Sequence, residues 1–366
     1  MNANPDSALS AAGVAKARVK SQRAGLAAHL GLGESIFTSP AERRFAERVE
    51  EGLIAVETGL FEQLQFSDAL ADTTARYLFE AGGKRVRPAL ALLTAQLGDG
   101  STDGVIAAAQ AIEMTHLASL YHDDVMDEAE LRRGVPSAHV TWSNSVAILT
   151  GDLLFARAAR LIAGLGEIVA TLQSDTFERL CLGQLHETIG PQPGDDPIEH
   201  YLQVLGDKTG SLIAAAAHLG VLLSNAPVEF EVPVKEYGEK IGIAFQLADD
   251  VIDLSDGDTG KNPGTDIRAG VSTLPLLYLK REAETDPDAA TLLERLARGA
   301  DTDPETPLPD FDAAISELRG HEVTRRTIDE AHRWANEGIA ALAPLPTGPV
   351  KRALTVFAEN LVSRTA

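Results

Sequence analysis

Apolar side chains recur every three or four residues along most of this chain, which is the spacing of one face of an α-helix. The first such segment, residues 40–64, also has a helix-start pattern: Ser39 can cap it, Pro40 suits its first turn, and Glu42 can reach back to the cap. The same spacing predicts helices over residues 68–81, 86–97, 103–127, 144–163, 166–189, 198–205, 211–224, 233–254, 272–298, 311–341 and 348–363.

The segments between these helices are short. Strand-like alternation is almost absent, and the breaks at residues 190–197, 255–270 and 301–310 are turn-like and too short for interdomain linkers. We therefore predict one all-α domain over residues 39–366. Residues 1–38 are rich in Ala and Ser and lack the apolar run of a signal peptide, so we predict a disordered N-terminal tail.

Composition narrows the partners of this domain. A net charge of −22 disfavours nucleic acid and anionic lipid as general surface partners, so any phosphate site needs a local basic patch or a bridging metal. No apolar run is long enough for a membrane-spanning helix. The single cysteine, Cys181, cannot form an internal disulfide, which fits a reducing compartment, and we expect a cytoplasmic protein.

Two carboxylate clusters carry the first candidate chemistry. Asp123 and Asp127, with Asp124 between them, follow an apolar stretch and lie one helical turn apart on one face. Read alone, such a DDxxD cluster in a protein this acidic is better explained as a solvated helix surface. The same pattern recurs at residues 249–253 on a second apolar segment, and two facing clusters could hold Mg²⁺ ions that neutralise a diphosphate.

A basic segment at residues 82–88 supplies the complementary charge. Lys84, Arg85 and Arg87 follow a glycine pair, which lets the backbone approach a ligand closely while guanidinium groups grip phosphate oxygens. Read alone, this is also the solvated turn at a helix end. Arg132 and Arg133 add two cations just beyond the first carboxylate cluster.

Together these motifs resemble those of the trans-isoprenyl (polyprenyl) diphosphate synthase family. The matching elements are GGKRxRP at 82–88, DDxxD followed by Arg-Arg-Gly at 132–134, Lys-Thr at 208–209, FQLxDD at 245–250, and Gly-Lys with GTD at 260–266. The resemblance covers about residues 40–365. It implies the isoprenoid synthase fold, in which antiparallel helices surround a central catalytic cavity, usually as a homodimer.

The resemblance also implies roles for individual residues. Mg²⁺, three ions when diphosphate is bound, would be held by Asp123, Asp124, Asp127, Asp249 and Asp253, with Asp250 in support. Isopentenyl diphosphate would be bound by Lys84, Arg87, His116 and Arg133, with Arg85 as an additional cation. The allylic diphosphate would be bound by Arg132, Lys208, Gln246 and Lys261. The catalytic groups that face the allylic cation would be Thr209, Gln246 and the carbonyl of Lys208.

His116 read alone would be a packed core histidine, so its role rests on the resemblance. The implied reaction ionises the allylic C–O bond, adds the isopentenyl double bond to the allylic cation, and releases a proton. One departure lies at residues 270–273, Gly-Val-Ser-Thr, where many relatives carry a lysine before the matching segment. It removes one peripheral diphosphate contact.

Product length is predicted from the residues that precede Asp123. Short-chain relatives carry aromatic residues four or five positions upstream, where this chain has Ser119 and Ala118. Thr115 and Met114 come next along this face, followed by small residues, and each further helical turn adds ~5.4 Å of depth for the growing product. We therefore predict a product of about C30–C50, of the kind used for quinone side chains such as that of menaquinone. Alternatively, the small residues only permit tight helix packing. Met114 would then be the floor of the cavity, and the protein would be a short-chain geranylgeranyl or farnesyl diphosphate synthase.

Two other classes remain as alternatives. A class I terpene cyclase would share the first DDxxD but normally lacks a second one and the GGKRxRP segment. A non-catalytic subunit of a heteromeric synthase usually loses aspartates, and this chain keeps all six. The predicted partners are thus isopentenyl diphosphate and an allylic diphosphate. We expect no nucleic acid partner, and a transient membrane contact during product release is compatible with the sequence.

Overall fold

A computed structural model describes residues 39–255, 263–299 and 308–363, and this part of the chain is mostly helical, as predicted. The first helix begins with the predicted capping box: Ser39 Oγ accepts from the Glu42 N–H at 3.2 Å, and the Ser39 N–H donates to the Glu42 carboxylate at 2.9 Å. The predictions for residues 1–38, and of a single domain over 39–366, stay predictions.

The α-helices are α1 Pro40–Gln63, α2 Ala69–Glu80, α3 Val86–Ala95, α4 Asp103–Met126, α5 Ala138–Thr141, α6 Asn144–Ala163, α7 Glu167–Ile189, α8 Pro197–Leu205, α9 Ser211–Leu223, α10 Glu231–Asp253, α11 Thr265–Arg268, α12 Leu274–Glu282, α13 Pro287–Ala297, α14 Pro309–Gly320, α15 Glu322–Ala341 and α16 Pro349–Ser363. A π-helical turn at Gly206–Gly210 joins α8 to α9, and a 3₁₀ turn at Val228–Phe230 precedes α10. Two short antiparallel strands, β1 Leu131–Arg132 and β2 Val135–Pro136, form a hairpin after α4.

Two predicted helices are each divided, so the prediction of one continuous helix was wrong in both segments. Residues 272–298 form α12 and α13, because the Asp286 side chain caps a new helix that starts at Pro287. Residues 311–341 form α14 and α15, which are interrupted at His321, whose ring accepts from the Val323 N–H at 3.3 Å. Apolar spacing continues on both sides of each break, so periodicity alone does not reveal it.

The helices pack around α9, which is buried along most of its length. It lies against α3, α4 and α10, while α4 also packs along α6, and α10 along α15. Alanine-rich sequence in α9 lets these neighbours approach closely. A smaller apolar cluster joins α12, α13 and α14 beyond the end of α10. In the described ranges, no helix has the length and apolar character needed to cross a bilayer.

Candidate active site

A cavity of about 810 Å³ lies between α4, α7, the π turn, α10 and α16, with the start of α3 at one end. It brings together most of the side chains that the sequence predicts for the site. These are Lys84, Arg87, His116, Ser119, Asp123, Asp127, Arg132, Arg133, Lys208, Thr209, Gln246, Asp249 and Asp253. The remaining predicted diphosphate ligand, Lys261, lies outside the described residues.

The first carboxylate cluster divides its three aspartates between two environments. Asp123 and Asp127 lie one turn apart at the end of α4, and both line the cavity. Asp124 is rotated by about 100° from Asp123 on the helix, is fully buried, and does not line the cavity. Its Oδ1 accepts from Arg132 Nε at 2.6 Å, so this predicted metal ligand instead ties the β1–β2 hairpin to α4.

The second cluster repeats this division on α10. Asp249 and Asp253 line the cavity, whereas Asp250 is buried. The two carboxylate oxygens of Asp250 accept from the Tyr201 hydroxyl at 3.0 and 2.8 Å, and one also accepts from the Leu274 N–H at 3.1 Å. Asp250 thereby fixes α10 to α8 and α12, and leaves its two neighbours in the cluster facing the cavity.

Burial makes this acidic wall costly to ionise without a cation. It raises the pKa of Asp123 to about 6, although the nearby charge of Lys208 acts in the opposite direction. Burial likewise raises the pKa of Asp250, which lies behind this wall, to about 8. Lys208 pairs with Glu187, and its pKa lies above its ordinary value because Glu187 and Asp123 together outweigh the effect of burial.

The carboxylate donors fit Mg²⁺ only in combination with a ligand. Among the described residues, no three His, Cys, Asp or Glu side chains are grouped closely enough to hold a metal ion. Mg²⁺ is usually bound by one or two carboxylates together with waters and substrate phosphate oxygens, not by an all-protein cage. The two pairs of cavity-facing aspartates supply that kind of partial site.

The opposite end of the cavity is basic. Arg133 Nη1 donates to the Leu78 carbonyl at 2.9 Å and also to the Gly82 carbonyl. Gly83 has a φ of +152°, and a Cβ there would lie 2.5 Å from Arg85 Nη1, so only glycine lets the loop pass this closely over the guanidinium groups. Lys84, which follows, is exposed and lines the cavity.

Two further basic side chains in this corner are perturbed by burial. It lowers the pKa of Arg87 to about 10. Burial, followed by the charges of Arg87 and Arg133, lowers the pKa of His116 well below its ordinary value. His116 is therefore neutral at pH 7 and can donate one N–H to a phosphate oxygen without adding charge.

Sequence reasoning missed part of this corner. Glu113 is 2% exposed and lines the cavity next to the cations. It was recognisable as a lone carboxylate within an apolar helix, three residues before His116. Arg85, expected as an additional cation for the substrate, is engaged by Glu113 and by Glu57 on α1.

The π turn presents Lys208 and Thr209 to the cavity. Two glycines allow α7 and α10 to pack closely against this turn. A Cβ on Gly183 would lie 2.7 Å from the backbone nitrogen of Lys208, and a Cβ on Gly242 would lie 2.4 Å from the Gly210 Cα. Such turns often occur at functional sites. The apolar pattern predicted two separate helices here and gave no indication of a π turn.

An ion-pair network holds the π turn from outside the cavity. Asp207 accepts from Arg179 Nε at 2.8 Å and from Gln203 Nε2 at 2.7 Å. Arg179 also donates to Glu239 at 2.7 Å, which joins the turn to α7 and α10.

The predicted chain-length residues have different environments. Ser119 lines the cavity, whereas Ala118, Met114 and Thr115 are fully buried and do not. Met114 is therefore not the floor of the described cavity. Beyond Ser119, Gln173 on α7 donates to Thr115 Oγ1 at 2.9 Å. Its own Oε1 is buried and has no hydrogen-bond partner in the part of the chain that the structure describes.

A family model and several known proteins match this chain. A family model described as polyprenyl synthetase matches residues 68–306. The chain is 44% identical over 323 residues to nonaprenyl diphosphate synthase of Mycobacterium tuberculosis, which covers 87% of this chain and 94% of that protein.

Two solved structures are similar over most of their length. One is a geranylgeranyl pyrophosphate synthase from Corynebacterium glutamicum complexed with calcium and isoprenyl diphosphate, with a TM-score of 0.78, 39% identity, and coverage of 90% of this chain and 99% of that one. The other is a decaprenyl diphosphate synthase from Rhodobacter capsulatus, with a TM-score of 0.77, 30% identity, and coverage of 88% and 99%. Both share the all-helical fold described above.

Proposed function

The chain belongs to the polyprenyl synthetase family, and on this basis we propose that it joins isopentenyl diphosphate to an allylic diphosphate to give an all-trans polyprenyl diphosphate. One observation carries the proposal: a single cavity has cavity-facing aspartate pairs at one end and a cluster of cations at the other. A cyclase or phosphatase acts on one diphosphate and needs only the aspartate end of such a cavity. Two different phosphate sites in one cavity suit a reaction between two diphosphates.

At the basic end, Lys84, Arg87 and Arg133 bind the diphosphate of isopentenyl diphosphate, and neutral His116 donates one hydrogen bond. A group that is oriented before substrate arrives lowers the entropy cost of aligning the double bond with its target. Arg133 in particular is already oriented by two backbone carbonyls.

At the acidic end, Asp123, Asp127, Asp249 and Asp253 hold Mg²⁺, and we propose three ions when diphosphate is bound. Bound Mg²⁺ supplies the positive charge that stabilises the leaving diphosphate. Lys208, Arg132, Gln246 and Lys261 bind the same diphosphate. Asp124 orients Arg132 for this role through their 2.6 Å hydrogen bond.

Between the two ends, Thr209, Gln246 and the Lys208 carbonyl face the allylic carbon as its C–O bond breaks. Their oxygen atoms stabilise positive charge there. The C–C bond forms from the isopentenyl double bond, and the released diphosphate accepts the proton that is lost. Leu120, Leu180 and Phe245 line this part of the cavity and exclude water from the cation.

We propose a long-chain product because Ser119 is the only predicted length residue on the described cavity wall and is small. A growing chain that passes Ser119 reaches the Gln173–Thr115 hydrogen bond and must separate these two side chains to continue. Thr115 lies eight residues before Asp123, so this crossing is ~12 Å deeper along α4. The similarity to nonaprenyl and decaprenyl diphosphate synthases supports the same choice.

We also propose a homodimer, which stays a prediction together with the cytoplasmic location. The adjacent helices α6 and α7 expose large apolar side chains that a partner copy would cover. Among these are Leu149, Leu153, Ile168, Leu185 and Ile189. A Leu149→Glu change is expected to shift the protein from dimer to monomer in light scattering, and a monomeric parent protein would contradict the proposal.

The function is tested by incubating the purified protein with Mg²⁺, labelled isopentenyl diphosphate and farnesyl diphosphate, and sizing the extracted products. We expect label in prenyl chains of about C30–C50, with incorporation abolished when a chelator removes the metal. Diphosphate release without incorporation of label would contradict the function and indicate a cyclase. A dominant C15 or C20 product would contradict only the chain length.

A further inference from the structure

Arg85 lies at the centre of a buried ion-pair cluster that links three separate segments of the chain. Its Nε donates to Glu57 on α1, and its Nη1 lies 3.2 Å from Glu113 on α4. The Arg85 and Glu113 side chains are 5% and 2% exposed. Arg85, which lies between the two predicted substrate ligands Lys84 and Arg87, is thus paired with carboxylates inside the protein.

Arg85 also donates to the end of α2 and to the loop that precedes α3. Nη1 donates to the Gly82 carbonyl at 3.3 Å, and Nη2 donates to the Phe79 carbonyl at 3.2 Å. The guanidinium also stacks 4.7 Å from the centre of the Phe79 ring. The Nε and both Nη groups are therefore engaged by the protein, and Arg85 cannot turn toward a substrate diphosphate without breaking these contacts.

Arg87, two residues later, differs from Arg85 in its hydrogen bonding. Its Nε is buried and has no hydrogen-bond partner among the described residues, as expected of a group that awaits a ligand. Arg85 is instead flanked by two carboxylates, and its pKa lies above its ordinary value even though burial opposes this. Its charge is compensated within the protein.

The backbone of Arg85 is also unusual. With φ 49° and ψ 36° it adopts the left-handed conformation at the start of α3, which is uncommon for a residue other than glycine. Such a conformation persists when surrounding contacts fix it, and here the contacts to Glu57, Glu113, Phe79 and Gly82 do so. The direction of the chain on either side, and hence the placement of Lys84 and Arg87, depends on this residue.

We propose that Arg85 is a positioning residue for isopentenyl diphosphate, held by Glu57 and Glu113, and that it sets the turn from which Lys84 and Arg87 contact the substrate. The inference rests on the proposed function. It predicts that Glu57, which does not line the cavity, affects binding of one of the two substrates.

The test compares three variants of the full-length protein by steady-state kinetics and thermal melting. Arg85→Lys keeps the charge but cannot reproduce the guanidinium contacts. Glu57→Gln keeps the shape of the side chain and removes its charge. Glu51→Gln, at an exposed position of the same helix, is the matched control.

We expect Arg85→Lys to raise KM for isopentenyl diphosphate about tenfold, the equivalent of about one charge-assisted hydrogen bond. Glu57→Gln is expected to raise the same KM by about threefold. Both variants should leave KM for the allylic diphosphate within about twofold of the parent value, and Glu51→Gln should change neither constant.

An Arg85→Lys protein with unchanged KM for isopentenyl diphosphate would overturn the inference. So would a Glu57→Gln protein that behaves like Glu51→Gln, because Arg85 would then act without its α1 partner. A lower melting temperature with both KM values unchanged would indicate a purely structural role and overturn it as well. If Arg85→Lys fails to fold, Glu57→Gln decides alone.

The parent protein is assayed in parallel to separate this inference from the proposed function. A parent protein that does not incorporate isopentenyl diphosphate would contradict the function itself. An active parent protein together with unaffected variants would contradict only the role of Arg85.

Discussion

The two ends of the cavity differ in how far folding alone prepares them for a diphosphate. At the basic end, Arg133 is already bound to two backbone carbonyls, and Arg85 is locked between two carboxylates. At the acidic end, burial raises the pKa of Asp123 to about 6 and no three-carboxylate metal cage exists among the described residues. Part of the basic site is therefore fixed when the protein folds, whereas we expect the acidic site to be completed by metal and substrate together.

The supports of the two ends also differ. Each DDxxD cluster uses its second aspartate to anchor its helix, through Arg132 in one case and Tyr201 in the other. The basic corner uses a buried carboxylate, Glu113, that lies among the cations themselves. Substitutions at the two ends are therefore expected to have separable effects.

The largest effect is expected at the acidic end. Asp123→Asn or Asp249→Asn should lower kcat by roughly 10²–10³-fold, because each removes a metal ligand that stabilises the leaving diphosphate. Initial-rate measurements at saturating substrates check this. Asp175→Asn, at an exposed position on α7, is the control, and a loss of less than about tenfold at Asp123 would remove the metal role from the first cluster.

A second effect is expected at the basic end. Arg87→Ala should raise KM for isopentenyl diphosphate by about ten- to a hundredfold, because a buried charge-assisted contact is lost. The Mg²⁺ concentration that gives half-maximal rate should stay the same. If instead that concentration rises, the two ends are not independent and the comparison fails.

A third effect concerns pH. The raised pKa of Asp123, about 6, means that protons compete with Mg²⁺ as the pH falls through this value, since only the ionised carboxylate binds metal. Between pH 7 and pH 5 the half-saturating Mg²⁺ concentration should rise by roughly tenfold. Titrations of Mg²⁺ at fixed ionic strength measure it, and a constant value across this range would rule out Asp123 as the titrating ligand.

The smallest effects concern product length. Ser119→Phe should shorten the product, because a bulky ring on the cavity wall would block the growing chain.

Thr115→Val should shift the products to greater length, because the chain no longer has to break the hydrogen bond from Gln173. Product sizing on extracted lipids compares these variants with the parent protein.

Thr176→Val is the control for Thr115→Val. The Thr176 hydroxyl donates to the Leu172 carbonyl of its own helix at 2.7 Å, so its loss should leave the product length unchanged. Equal lengthening by both variants would assign the effect to general loosening of α7.

The sequence was sufficient to predict the all-α fold and most of the charged side chains around the cavity. Apolar spacing located nearly every helix, and the i, i+4 geometry placed Asp123 with Asp127 on one face. The same geometry implies that Asp124 and Asp250 face elsewhere. Their partners Arg132 and Tyr201 could not be chosen from the sequence, because they depend on how distant segments pack.

Other features depend on contacts that leave no local pattern. The pairing of Arg85 with Glu57 joins residues 28 positions apart, and nothing in the GGKRxRP segment distinguishes its middle cation from the outer two. The Thr115–Gln173 contact spans 58 positions. Hydrophobic periodicity records which face of a helix is buried but not which polar groups meet across the interior.

The most direct test of this asymmetry is calorimetric titration of the chelator-treated protein with isopentenyl diphosphate and, separately, with a non-cleavable allylic diphosphate analogue. Isopentenyl diphosphate should bind the metal-free protein, with affinity reduced by Arg87→Ala. The analogue should bind only after Mg²⁺ is restored. Equal dependence of both ligands on Mg²⁺, or tight binding of the analogue without metal, would contradict the assignment of the two ends.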